Sequence, residues 1–362
     1  MPVTIETIRP QEIDASLRDA WCRLLAEQPQ FASPFFHPAY AQQLAEVRPQ
    51  VEVAVLNDGG RPVGFFPYER HKGNVARPLG IRLADFQGVV AAPDVEWSAA
   101  ELLRGARLSL WHFDHLLPAS KTFAPYVLES APSPYLDLSA GYDEYVTERR
   151  KAGTAQITQS GRKRRKLQRE RGTVEFRWHD PDDEAFEKLL EWKAAQRART
   201  KTLDILQWDW VRTFLRELRN HEEPGFRGLM STIRVEGELA AVHLGLATDR
   251  TFHYWFPTYD AAFYRYSPGV ILLLEMAREC AERGITRFDL GKGNDDYKNS
   301  FASAATEVAT GAVDPAPLRR AARSGWHHLQ AWIKQSPLKE TARVPKRLIK
   351  RLQARISMGA AT

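Results

Sequence analysis

One pattern recurs in this chain and narrows the folds open to it. Val51–Leu56 reads as a strand, Asn57-Asp-Gly-Gly60 turns the chain, and Pro62–Tyr68 returns as a second strand. The same order comes back in Leu229–Val235, Glu236-Gly237 and Leu239–Ala247. Each hairpin is followed by a helical stretch and a strand that ends in Phe-Asp, at Phe113-Asp114 and at Phe288-Asp289. From turn glycine to aspartate is 54 positions in the first copy, Gly60 to Asp114, and 52 in the second, Gly237 to Asp289. Matching element order at matching spacing implies a duplicated α/β (α+β) unit: two mixed, mainly antiparallel sheets flanked by helices.

The second copy is the clearer. Thr251–Phe256 supplies a third strand. Ser267-Pro-Gly269 then opens a helix, with Ser267 expected as its N-cap and Pro268 at the first helical position, where its missing N–H costs nothing. Val270, Leu273, Leu274, Ala277, Cys280 and Ala281 give that helix one apolar stripe, Gly284 ends it, and Ile285–Leu290 follows as a strand. The expected organisation is an N-terminal half over 1–145, a basic helical linker over 146–172, a C-terminal half over 173–313, and a basic helical tail over 314–362.

Charge and composition exclude several classes. Of 362 residues, 43% are hydrophobic, enough for a sizeable core in each half, so a disordered or fibrous chain is not expected. The longest apolar run, Val270–Leu274, falls far short of the ~20 residues that span a bilayer. The N-terminus lacks an apolar secretory core, and the two cysteines, Cys22 and Cys280, are too few for a disulfide framework, so a cytoplasmic protein is expected. The formal net charge of +6 is concentrated in two segments. Arg149–Arg171 holds ten Lys/Arg against Glu170 alone, and 314–362 holds eleven against Asp314 and Glu340, so the remaining body is acidic. The first segment is either a solvated helix face or a patch that meets an anion. The tail, with Trp326, Leu329, Trp332, Ile333 and the run Lys346–Leu352, is either an ordinary basic extension or a peripheral contact with an anionic membrane or a synthase partner.

The run Tyr254-Trp-Phe-Pro-Thr-Tyr-Asp260, then Ser267-Pro-Gly269, Phe288-Asp-Leu-Gly-Lys-Gly293 and Tyr297-Lys298 resembles the CelD/BcsL-type acetyltransferases of the GNAT superfamily. The resemblance is densest over 226–301 and reaches weakly to Phe35-Phe-His-Pro38, Asp85 and the basic helix. It implies a tandem GNAT fold, like that of the Fem peptidoglycan aminoacyltransferases. The implied activity is acyl transfer from acetyl-CoA or another acyl-CoA to an amine or hydroxyl of a saccharide or envelope precursor, in cellulose or exopolysaccharide biosynthesis. The implied donor loop has one glycine, in Arg265-Tyr-Ser-Pro-Gly-Val270, where typical GNAT enzymes have two. An aminoacyl-tRNA donor and a non-catalytic scaffold therefore stay open as alternatives.

Acyl transfer needs an anion site for the donor, a base for the acceptor and a proton for the leaving thiolate. Arg265, Ser267, Pro268 and Gly269 are the donor-site candidates, because a helix N-terminus favours negative charge; an ordinary helix start explains the same residues. His243 alternates with Val242 and Leu244 and is either a general base or a buried core histidine. Asp289 either orients the acceptor or caps the glycine turn after it. By resemblance, Tyr297 is the candidate to protonate the thiolate, and Lys298 is a candidate for binding phosphate or stabilising the oxyanion. Tyr254 and Asp260 are weaker substrate candidates. Asp85 and His37 either line an acceptor cleft or belong to a copy kept for packing. No serine elbow, zinc motif or phosphate loop is present, and Cys280 lies on an apolar stripe, so direct transfer without a metal is expected.

Overall fold

A computed structural model describes residues 3–117, 121–200, 202–293, 296–320 and 325. Of the tail expected over 314–362, residues 314–320 are described, with helix at 317–320, and the rest, with Trp326 and Trp332, lies outside the described residues except for 325. The first half runs β1 (Thr4–Ile8), α1 (Ala15–Glu27), α2 (Pro38–Ala45), β2 (Val51–Asp58), β3 (Arg61–His71), β4 (Val75–Arg77), β5 (Val90–Ala91), α3 (Ala99–Gly105), β6 (Leu110–Leu116) and β7 (Val127–Asp137). Next come α4 (Tyr142–Lys151), α5 (Gln156–Arg171), β8 (Val174–Arg177), α6 (Asp183–Thr200), α7 (Asp209–Leu218) and β9 (Glu222–Glu223). The chain continues through β10 (Phe226–Val235), β11 (Glu238–Ala247), β12 (Thr251–Tyr259), α8 (Pro268–Glu282), β13 (Arg287–Asp289), α9 (Asp296–Phe301) and β14 (Ala304–Val313).

These elements form two compact units, both discontinuous in sequence. One comprises 1–9, 50–130 and 309–362; the other comprises 10–49 and 131–308. The contiguous halves expected from the sequence thus differ from the packing in two ways. Residues 10–49, with α1 and α2, pack in the second unit, and the ends of β7 and β14 each complete the sheet of the opposite half.

The duplication is visible strand by strand. In the first unit the order is β1-β2-β3-β4-β6, with 309–313 of β14 on β6; in the second it is β8-β10-β11-β12-β13, with 135–137 of β7 on β13. All neighbours are antiparallel except β4–β6 and β12–β13, the equivalent parallel pair in each. Both hairpins close on two residues of positive φ, Gly59 and Gly60 at 56° and 83°, and Glu236 and Gly237 at 50° and 86°. This is the turn whose twist matches the flanking strands.

The first unit is filled by Phe66, Tyr68, Trp111, Phe113 and Phe123. In the second, α8 lays Leu272, Leu273, Met276, Ala277 and Cys280 on Leu229, Ile233, Ala241, Phe252 and Phe288, and α5 adds Ile157 and Leu167 to the same core. On the other face, Phe35 meets His253 and Trp255 edge-on, with ring centroids at 4.8 and 5.5 Å, and Tyr40 meets Phe214.

Candidate functional site

The sheet of the second unit has an opening. β12 and β13 pair in parallel through Thr251–Arg287, Phe252–Phe288 and His253–Asp289. β13 then stops, while β12 continues to Tyr259. At the point of parting β12 carries a bulge: Leu246 faces His253 but Leu244 faces Phe256, so β12 holds one extra residue. Gly245 lies opposite. A Cβ there would stand 2.3 Å from the His253 carbonyl oxygen and 2.4 Å from His243 Cε1, so only glycine fits.

The bulge fixes His243. The Trp255 amide donates to His243 Nε2 at 3.0 Å, which leaves the proton of the neutral ring on Nδ1, an atom with no partner among the described residues. The ring stacks on Tyr254 with centroids 4.2 Å apart and is fully buried. Burial, then the charges of His253 and Lys193, hold its pKa well below the usual histidine range. The sequence left His243 as either a general base or a buried core histidine. In the structure it is enclosed, and its one lone pair is already engaged. Burial likewise pushes the Tyr254 hydroxyl well above the usual tyrosine range, and that hydroxyl donates to the Gly269 carbonyl at 3.4 Å.

That last bond places the start of α8 beside the part of β12 that β13 has left. Pro268 occupies the first turn as expected, but Ser267 does not cap it through its side chain. Its backbone is left-handed, at φ 53° and ψ 55°, so Oγ turns away and accepts from Lys163 Nζ at 2.7 Å. Lys163 belongs to α5, so the basic helix brings a positive charge to the N-terminus of α8. Arg265 instead pairs with Glu170 at 3.2 Å, and the Tyr266 hydroxyl donates to the same carboxylate at 2.9 Å. Gly269 lies under the Tyr259 ring, where a Cβ would be 3.3 Å from Cδ1. Asp260 accepts from the Ala262 amide at 2.7 Å and caps the 3-10 turn before α8.

Asp289 does not join His243. Phe288 packs on Phe252 and Tyr254, so its strand neighbour Asp289 faces the opposite side of the sheet. It is fully buried, pairs with Arg287 at 2.7 Å through Oδ1, and its Oδ2 has no partner among the described residues. Lys298 donates to the carbonyls of Gly291 and Lys292, both at 3.1 Å, which ties α9 to the loop after β13. Tyr297 remains 41% exposed and close enough to Tyr254 to act on its ionisation.

His37 lies in the second unit and Asp85 in the first. His37 Nδ1 accepts from the Ala39 amide at 3.3 Å and so caps α2, while Nε2 lies 3.8 Å from Cys22 Sγ. Burial is the main cause that lowers its pKa to about 4. Asp85 sits 3.8 Å from His115 Nε2. Among the described residues no cluster of metal-ligating side chains occurs. Two residues of this region were not singled out from sequence: Lys163, one of many charges in its helix, and Lys193. The Lys193 amine is pushed down to about 7 by burial and by the charges of Arg197 and Lys298. A lysine in a polar helix gives no local sign of either environment.

Comparison with known proteins places these features. A family model, the acetyltransferase (GNAT) domain, matches residues 155–299, which hold every candidate named above except His37 and Asp85. Comparison with the curated proteins gives no match. Among solved structures, the C-terminal domain of a putative lysylphosphatidylglycerol synthetase from Agrobacterium fabrum is similar with a TM-score of 0.53 at 14% identity, over 88% of this chain and 96% of that one. A conserved protein of unknown function from Bacteroides thetaiotaomicron gives 0.50 at 13%, over 76% and 90%. A tandem GNAT protein from the clavulanic acid biosynthesis pathway gives 0.49 at 13%, over 87% and 99%. Residues 155–299 therefore match the acetyltransferase (GNAT) domain, and the repeated strand order gives the first unit the same α/β architecture.

Proposed function

We propose that this chain transfers an acyl group, acetyl in the first instance, from a coenzyme A thioester directly to an amine or hydroxyl of an envelope or exopolysaccharide precursor. The observation that carries the reading is the parting of β12 and β13 after His253 and Asp289, with the start of α8 and the Lys163 ammonium beside the part of β12 that β13 has left. A thioester laid along β12 would put its phosphates at that helix end, where the dipole and the lysine both favour negative charge. The acceptor atom would bond to the acyl carbon as the carbon–sulfur bond breaks, Tyr297 would give the departing thiolate its proton, and the proton released by the acceptor would pass through solvent to restore Tyr297. The saccharide acceptor rests on the resemblance of the 254–298 motifs; the expected place of work is the cytoplasm, with a peripheral contact at the inner face of the membrane through the basic residues of 314–362. No helix among the described residues is long and apolar enough to cross a bilayer.

Calorimetry with acetyl-CoA, coenzyme A and a longer acyl-CoA tests this, with Gly269→Glu as the control. Micromolar binding that the variant abolishes supports the donor site, because the new carboxylate would repel the phosphates. Absence of binding to every thioester rejects the coenzyme A reading.

One observation favours a second donor. Arg162, Arg165, Lys166 and Arg169 form an exposed basic face on α5. Such a face suits the backbone of an aminoacyl-tRNA, and binding to charged tRNA that falls steeply with salt would support that donor.

A further inference from the structure

α5 is tied to α8 and to the turn before it by three contacts: Lys163 Nζ to Ser267 Oγ at 2.7 Å, the Tyr266 hydroxyl to Glu170 at 2.9 Å, and Arg164 Nε to Glu275 at 3.3 Å. Ile157 and Leu167 bury its inner face. Arg162, Arg165, Lys166 and Arg169 stand at i, i+3, i+4 and i+7, so they share one face, and all four are exposed. Their row is about 10 Å long at a helical rise of about 1.5 Å per residue. It borders the residues that reach the start of α8: Lys166 lies one turn from both Lys163 and Glu170, 3.9 Å from the latter's carboxylate.

The start of α8 beside α5 has a small capacity for negative charge. Pro268 has no N–H, and the amides of Val270 and Ile271 both donate to the Ser267 carbonyl, at 3.0 and 3.2 Å. Arg265 is paired with Glu170, so among the described residues the Gly269 amide and the Lys163 ammonium are left to meet an anion. One amide and one ammonium suit a single phosphate, whereas the diphosphate and third phosphate of coenzyme A exceed them. The outer row of α5 is a different feature. Four cations held at helical spacing match several negative charges on a rigid surface, which a small nucleotide does not carry.

We propose that the outer face of α5 docks an acidic carrier protein, whose phosphopantetheine arm delivers the acyl thioester to β12. The inference rests on the acyl-transfer reading and names the bearer of its thioester. The arm has one phosphate, in keeping with the start of α8, and two amides, which can pair with the backbone of β12 where β13 has left it. An acidic helix of the carrier would set its carboxylates against Arg162, Arg165, Lys166 and Arg169. An aminoacyl-tRNA also brings a row of negative charge, but its ester has no such arm and would leave that stretch of β12 unused.

Calorimetry of the full chain tests this with four probes: acetyl-CoA, acetyl-4′-phosphopantetheine, acetylpantetheine without phosphate, and a bacterial acyl carrier protein loaded with an acetyl-phosphopantetheine arm. Acetyl-4′-phosphopantetheine should bind within about threefold of acetyl-CoA, and acetylpantetheine about tenfold or more weaker. The loaded carrier should bind with an affinity that falls as salt rises. Arg162→Glu, Arg165→Glu and Arg169→Glu combined should weaken the carrier about tenfold or more and leave acetyl-4′-phosphopantetheine unchanged. The unchanged small probe shows that the fold survives, and the same three positions changed to Gln give a milder variant if it does not. A carrier that fails to bind while acetyl-CoA binds overturns the proposal and leaves the acyl-transfer reading standing. A triple variant that weakens acetyl-CoA but not acetyl-4′-phosphopantetheine gives the face to the nucleotide of coenzyme A and also overturns it. Aminoacyl-tRNA that binds wild type more tightly than the carrier does, and is lost in the triple variant, gives the face to tRNA and overturns it as well. Failure of every thioester to bind rejects the acyl-transfer reading, and this inference with it.

Discussion

Gly245 and His243 make one unit of construction. The ring of His243 occupies the space that a side chain at 245 would need, and the bulge amide of Trp255 holds that ring in place. Gly245→Ala must push a backbone carbonyl or the imidazole aside, and overpacking of this kind costs about 1–3 kcal/mol. We expect the urea midpoint of the second unit to fall accordingly, whereas Gly237→Ala, with open space around its Cβ, would show only the strain of a positive φ. His37 makes a prediction about pH. Its folded pKa, about 4, lies below the unfolded value near 6.5, so unfolding takes up a proton between them. Its contribution is present in full above about pH 6.5 and is lost as pH falls toward 4, by up to about 3 kcal/mol. His37→Asn keeps an acceptor for the Ala39 amide but removes the titration. The difference in stability between wild type and variant should therefore shrink or reverse from pH 7 to pH 4, and a constant difference would reject this role.

At the scale of elements, local signals were strong and long-range ones silent. Both hairpins were legible because Asn57-Asp-Gly-Gly60 and Glu236-Gly237 supply residues suited to positive φ between alternating strands. α8 was legible from Pro268 and its apolar stripe. The role of Ser267 was not, because nothing local shows that Lys163, 104 positions earlier, would take its hydroxyl. The faces of β13 were half legible: Asp289 does oppose Phe288, but only the observed register sets it apart from His243. The α5–α8 junction carries its own prediction. Replacing Lys163 with Met removes one charged contact from the anion end of α8 and should weaken acyl-CoA binding about tenfold or more. Arg165→Met, on the exposed face of α5, should leave that affinity unchanged. Equal losses in both variants would mean that general basicity, rather than this contact, attracts the donor.

For the whole molecule, duplication was readable from spacing, while the assignment of segments to units was not. Composition and periodicity cannot say that residues 10–49 pack with the second unit, because that pairing is made by aromatic contacts such as Phe35–His253 and Tyr40–Phe214 across about two hundred residues. A fragment of residues 173–313 lacks α1, α2 and β7, and should fail to unfold cooperatively. Adding residues 10–49 as a separate peptide should raise its helical signal, and a cooperative transition from the fragment alone would contradict this division.

The most direct measurement is an amide NMR map of the full chain on addition of coenzyme A. The proposed donor site predicts shifts concentrated at Trp255, at residues 254–259 of β12 and at Gly269 and Val270, with the Lys163 side chain responding. Shifts confined to the exposed face of α5, or no shifts at all, would contradict a donor held between β12 and α8.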